Sequence, residues 1–144
     1  MKVKLINRSD NPDPQYKTVG SAGMDVCAFI DSPYILNPFE RYAVPTGLYF
    51  EIPEGFEIQV RARSGLALKH GISLPNGIGT IDSDYRGELK ILLVNLSNEP
   101  FTIHSGDRIG QIVLAQVEHI TFEKTESLSE TSRSDGGFGH TGLS

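Results

Sequence analysis

Short apolar segments of two-residue period, each closed by a turn signal, constrain this chain more than any other feature of its sequence. VKLI (3–6), DVCAFI (25–30), GLYFEI (47–52), FEIQVRA (56–62), ELKILLVNL (88–96) and RIGQIVLAQV (108–117) read as strands. Asp-Asn-Pro-Asp-Pro (10–14), Asn-Pro (37–38), Pro-Glu-Gly (53–55), Pro-Asn-Gly (75–77) and Ser-Gly-Asp (105–107) separate them. With 15 glycines and 8 prolines the chain turns too often for a helical bundle. The expectation is an all-β, single-domain jelly-roll-like barrel or sandwich. SGLALKHG (64–71) breaks the pattern: helix formers follow a Ser that can cap and precede a Gly that can terminate, so one short helix is expected there.

A chain of 144 residues with 38% hydrophobic content supports one core. That core is expected over residues 1–122. Residues 123–144 hold only Leu128, Phe138 and Leu143 as sizeable apolar groups and are expected to form a mobile, glycine-rich C-terminal arm. A single cysteine, Cys27, excludes an intramolecular disulfide framework and a multi-cysteine zinc site. The longest clean apolar run, Ile91 to Val94, is far shorter than the roughly 20 residues that cross a bilayer. No membrane association is expected, and without a visible signal peptide the expected location is cytoplasmic. Asn7-Arg8-Ser9 and Asn95-Leu96-Ser97 match the glycosylation pattern, which has no meaning without secretion. The net charge of −5 disfavours long nucleic acid; a small anion needs local cations, backbone N–H groups or a metal.

Several segments carry chemistry. GFGHTG (137–142) formally matches G-x-G-x-x-G, but the chain ends two residues later, so no helix follows and the dinucleotide reading fails. Arg133 ahead of that run and Phe138 inside it suit a phosphate and a flat ring. Arg63, Ser64 and Gly65 open the expected helix, where free N–H groups attract anions. Asn76-Gly77 is a hairpin signal, and Gly79 between Ile78 and Ile81 reads as strand that a ligand can approach closely. Asp82 and Asp84 fall on one side if the chain stays extended, with Tyr85 beside them. Gly20, Ser21, Ala22 and Gly23 before Asp25 suggest close packing or the approach of another chain. Gln111 sits among Ile109, Ile112 and Val113 and needs partners for its amide. His70, His104 and His119 lack metal-ligand spacing, and Cys27 reads as a small buried hydrophobe.

In order, AGMDVCA (22–28), ARSGLA (62–67), NGIGTIDSDYRGEL (76–89), GDRIGQIV (106–113) and RSDGGFGHTG (133–142) resemble the five motifs of the trimeric deoxyuridine triphosphate nucleotidohydrolases, the dUTPases. The resemblance implies a homotrimer with active sites shared between subunits. It implies Mg2+-dependent hydrolysis of dUTP to dUMP and pyrophosphate, which keeps uracil out of DNA and supplies dUMP for thymidylate. Carried onto this chain, Asp82 resembles the general base, and Arg63, Ser64, Gly65 and Gln111 resemble phosphate ligands. Asn76 with the backbone of Gly79, Thr80 and Ile81 resembles the uracil-reading hairpin, and Tyr85 the aromatic under the deoxyribose. Lys90 falls near a further substrate-lining position, and Asp25 resembles the carboxylate reaching the metal through water. Arg133, Phe138 and Gly139 would arrive on the arm. Ala62, Ser134-Asp135 and His140 depart from the family pattern without removing a group assigned to chemistry. The competing readings are a dCTP deaminase of the same fold and a non-catalytic nucleotide-binding module.

Overall fold

The computed structural model describes residues 1–137. Alternation of apolar and polar residues decides which face of each strand turns inward. In β9 (Lys90–Asn95), Ile91 and Leu93 are buried while Lys90 and Leu92 face out. In β5 (Leu48–Glu51), Leu48 and Phe50 turn in and Glu51 turns out. The remaining strands are β1 (Lys4–Asn7), β2 (Met24–Cys27), β3 (Tyr34–Leu36), β4 (Arg41–Pro45), β6 (Phe56–Arg61), β7 (Ile72–Ser73), β8 (Gly79–Ile81), β10 (Phe101–Ile103) and β11 (Arg108–Gln116). All pairings are antiparallel, and three of them are nested: β2 with β11, β3 with β10, β4 with β9. A chain doubled back on itself and then wrapped gives this order, the hallmark of a jelly roll. The sheets run β2-β11-β6-β8 and β4-β9-β7, with β1-β5 and β10-β3 as further pairs.

Leu36, Val44, Ile91, Leu93, Ile103, Ile109 and Ile112 lie almost fully buried between the sheets. Each such side chain contributes about 1.5–3 kcal/mol of transfer free energy. Two polar groups enter this interior fully hydrogen-bonded. Thr46 donates its hydroxyl to the Leu89 carbonyl at 2.6 Å. Asn95 donates to the carbonyls of Leu36 and Glu99 at 2.9 and 2.7 Å and accepts from the backbone and hydroxyl of Ser97. Asn7 accepts from the backbone and hydroxyl of Ser9 in the same way, so both glycosylation-like tripeptides are side-chain-closed turns here.

The helix α1 (Ser64–His70) ends at Gly71, whose φ of 66° lies in the left-handed region. Ser64 does not cap it. Arg63 occupies the N-cap position with extended backbone, and no side chain closes the first turn. Two further expectations are corrected. The Asn76-Gly77 turn joins no hairpin: β7 pairs with β9 and β8 with β6, because strands of two and three residues take their hydrogen bonds from longer neighbours. The chain does not stay extended after Ile81. It turns at Asp82, where the Tyr85 N–H reaches the Asp82 carbonyl at 3.2 Å, as an Asp-Ser-Asp run favours. The DVCAFI strand also stops at Cys27, since Ala28 bonds Asp107 on one side and Phe29 bonds Pro45 on the other, carrying the chain across to a second sheet. Beyond β11, residues 117–137 form neither helix nor strand, and Ile120, Phe122 and Leu128 are exposed.

Candidate functional site

The sheet β2-β11-β6-β8 sets the first group of side chains in a row. Gln111 pairs with Asp25 on one side and with Arg61 on the other. Arg63 follows β6, and its Nε donates to Asp25 Oδ1 at 2.9 Å. Arg108 Nη1 donates to Asp25 Oδ2 at 3.0 Å, and Arg63 Nη1 donates to the Arg108 carbonyl at 3.1 Å. Asp25 thus spends both carboxylate oxygens on two guanidiniums. Asp25 and Arg63 remain about a quarter exposed, so the cluster opens to the surface. Gln111 donates its amide to the Ala62 carbonyl at 3.0 Å, which answers the need for a partner. Among the small residues before Asp25, close packing holds for Gly23 alone: a Cβ there would stand 2.6 Å from Gln111 Oε1, whereas Gly20 has open space. Ser64 and Gly65 are exposed beside Arg63, and their N–H groups have no acceptor within the helix. Arg63, Leu66, Gly106, Asp107 and Arg108 line a cleft of about 320 Å³.

The second group lies on β8 and the turn after it, on the side of β6 away from β11. Gly79 pairs with Val60, next to the Arg61 that Gln111 faces, and Ile81 pairs with Ile58, so the chain runs away from the first group as it reaches Asp82. Thr80, Ile81, Asp82, Tyr85, Lys90 and Leu92 line a cleft of about 280 Å³. Asp82 also borders a cleft of about 620 Å³ with Glu54, Glu57, Asp84, Arg86 and His119. Asp82 and Asp84 therefore meet at one cavity although the chain between them turns. The Tyr85 hydroxyl donates to the Glu88 carbonyl at 3.0 Å, and its ring lies so close over Gly87 that a Cβ there would collide with the phenol. Asn76 is exposed in the turn before β8, its amide nitrogen 3.5 Å from where a Gly79 Cβ would stand. The nearest atom to that position is Val60 Cβ at 3.1 Å, so the close neighbour of Gly79 is its own sheet.

The expected site residues thus fall into two sets. Asp25, Arg63, Ser64, Gly65 and Gln111 gather around β2, β11 and the start of α1, whereas Thr80, Ile81, Asp82, Tyr85 and Lys90 line a separate cleft, with Gly79 beside Val60 at the start of β8 and Asn76 next to Gly79. Arg133 joins neither and turns its Nε onto the Gly136 carbonyl at 2.8 Å. Phe138 and Gly139 lie outside the described residues. Arg108 received no role from the sequence, because only strand register brings it to Asp25. No group of three His, Cys, Asp or Glu residues assembles a metal cage among the described residues, and no helix there is long and apolar enough to cross a membrane.

Comparison with known proteins bears on this arrangement. A family model described as dUTPase matches residues 9–142. The deoxyuridine 5'-triphosphate nucleotidohydrolase of Finegoldia magna is 61% identical over 142 residues, with 99% of each chain covered. That of Cytophaga hutchinsonii is 57% identical, covering 97% of this chain and 91% of its own. Among solved structures, a mutant dUTPase of Staphylococcus bacteriophage 80alpha with dUpNHpp superposes with a TM-score of 0.86 at 23% identity, over 99% of both chains. A mutant dUTPase from phage phi11 of S. aureus, described with a structural Mg(II) ion, reaches a TM-score of 0.80 at 20% identity, over 90% of this chain and 100% of its own. At those identities the structural likeness speaks to the jelly-roll-like fold, while the family model and the two bacterial relatives speak to descent. The chain belongs to the dUTPase family.

Proposed function

We propose that this protein hydrolyses dUTP to dUMP and pyrophosphate in active sites shared between the subunits of a homotrimer. The observation that carries the reading is the split of the candidate site between two open clefts, one lined by Arg63 and the other by Asp82. On one chain the phosphate-binding set and the base-bearing set do not line a common cleft. A second copy bringing its Asp82 cleft to the first copy's Arg63 cleft supplies both. The exposed Ile120 and Phe122 just before the arm (residues 123–144), and Leu128 within it, suit a segment that crosses to a neighbouring copy and carries Arg133, Phe138 and Gly139 to the substrate.

In this reading Asp82, exposed at the rim of its cleft, accepts a proton from the water that attacks the α-phosphorus. A bond forms between that water's oxygen and phosphorus, and the bond to the bridging oxygen breaks as pyrophosphate leaves. Arg63, Ser64, Gly65 and Gln111 hold the phosphates, since phosphoryl transfer asks chiefly for positioning and charge neutralisation. Asn76 with the backbone of Gly79, Thr80 and Ile81 reads the uracil edge. Tyr85 lies against the deoxyribose, and Lys90 lines the same cleft. Asp25, whose two oxygens are committed to arginine, would reach Mg2+ through water, and the metal would supply positive charge beside the triphosphate.

The test is pyrophosphate release from dUTP beside dCTP, dTTP and UTP, with and without Mg2+. Turnover confined to dUTP supports the reading, and ammonia release from dCTP would replace it. Rejection of dCTP is expected to be firmer than rejection of dTTP, because unpaired polar groups discriminate more strongly than one methyl. Asp82→Asn is expected to bind dUTP and lose at least about a hundredfold in turnover. Full activity in that variant would remove Asp82 from the role of base.

A further inference from the structure

Arg108 has no part in the proposed reaction, yet it closes a ring around the side chain given the phosphates. Its guanidinium takes one oxygen of Asp25, Arg63 takes the other, and the Arg108 carbonyl accepts a second bond from Arg63. A bulge in β11 makes the ring. Gln111 pairs with Asp25 and Gly110 with Val26, but the next pair is Arg108 with Cys27, leaving Ile109 over. In a regular strand residues 108 and 111 point to opposite faces. The extra residue returns Arg108 to the face that holds Asp25 and Gln111.

We propose that Arg108 is a positioning residue for Arg63, acting through Asp25 and through its own carbonyl. The inference rests on the dUTP reading above. An arginine stem has several rotatable bonds, and tying both its Nε and its Nη1 to different acceptors holds the remaining donors in one orientation. Two of the five guanidinium N–H donors are spent in the ring, leaving three for phosphate oxygens. Asp25 alone would hold Arg63 with a carboxylate free to swing, whereas Arg108 fixes the carboxylate from its other side.

A double-mutant cycle read by calorimetric binding of α,β-imido-dUTP with Mg2+ tests this. Arg108→Gln is expected to weaken binding by about five- to tenfold in the wild-type background and by less than about twofold once Arg63→Gln is present. Arg108→Lys, which keeps the charge pair, is expected to recover most of the loss. Equal losses in both backgrounds would mean that Arg108 acts independently of Arg63, and no loss in either would mean that it does not act; each overturns the proposal. If Arg108→Gln does not fold, Arg108→Met, which keeps the stem, takes its place, and failure of both would make Arg108 a folding residue and overturn the proposal. Wild-type protein that fails to bind the analogue overturns the dUTP reading itself, whereas wild-type binding with an additive cycle overturns only the role of Arg108.

Discussion

At the scale of single residues, the site is held by what lies next to the groups assigned to chemistry. Gly23 is the clearest case. Alanine there would place a methyl 2.6 Å from Gln111 Oε1, and the yielding atom is the end of a flexible side chain. Gly23→Ala is therefore expected to leave the melting temperature within a few degrees of wild type and to raise the KM for dUTP several-fold, as steady-state kinetics beside a thermal melt would register. Cys27, paired with Arg108 across the bulge, gives a pH signature of its own. Burial first, and the nearby Asp25 charge second, push its thiol above the ordinary value of 9.0. The folded state then prefers the neutral thiol. Its contribution is complete below the unfolded value and is lost as pH rises through the higher folded one. Denaturant unfolding from pH 8 to 10 is expected to show a decline in stability that Cys27→Ala reduces; an unchanged decline would assign it to other groups.

At the scale of elements, the helix end shows how a local signal and a distant contact converge. Gly71 adopts φ of 66°, and a Cβ there would stand 3.0 Å from the Ser97 backbone nitrogen. Gly71→Ala is expected to cost about 1–2 kcal/mol in urea unfolding, with the helix and not the chemistry as the casualty. The stop at Gly71 was legible in the sequence, as were six of the seven strands of four or more residues, because that length displays a full alternation. The strands β3, β7 and β10 were not, since two or three residues contain no period, and β4 hid because Ala43 and Pro45 blur its pattern. Most groups of the candidate site were also legible as residue types in ordered motifs. Their division between two clefts was not, because it depends on β11 and β8 flanking β6 on opposite sides. The Asp25–Arg108 contact was hidden for the same reason, being created by one extra residue in β11.

At the scale of the whole molecule, the jelly roll and the segment after it differ in burial. Residues 118–135 are exposed and contribute nothing to the buried core. Deleting residues 131–144 is expected to preserve the thermal transition while nearly abolishing pyrophosphate release; retained turnover would take the arm out of the site. The nested strand order has a consequence for biosynthesis. The sheet bearing Asp25 is completed by β11, which ends at Gln116, so β2 waits for a partner about eighty residues further along the chain. Contacts this distant in sequence close slowly. On the ribosome, Asp25 therefore emerges long before either arginine can be fixed around it, and every nascent chain shorter than about residue 108 carries an unassembled ring. The two arginines close around Asp25 in one late step, only once β11 has been made.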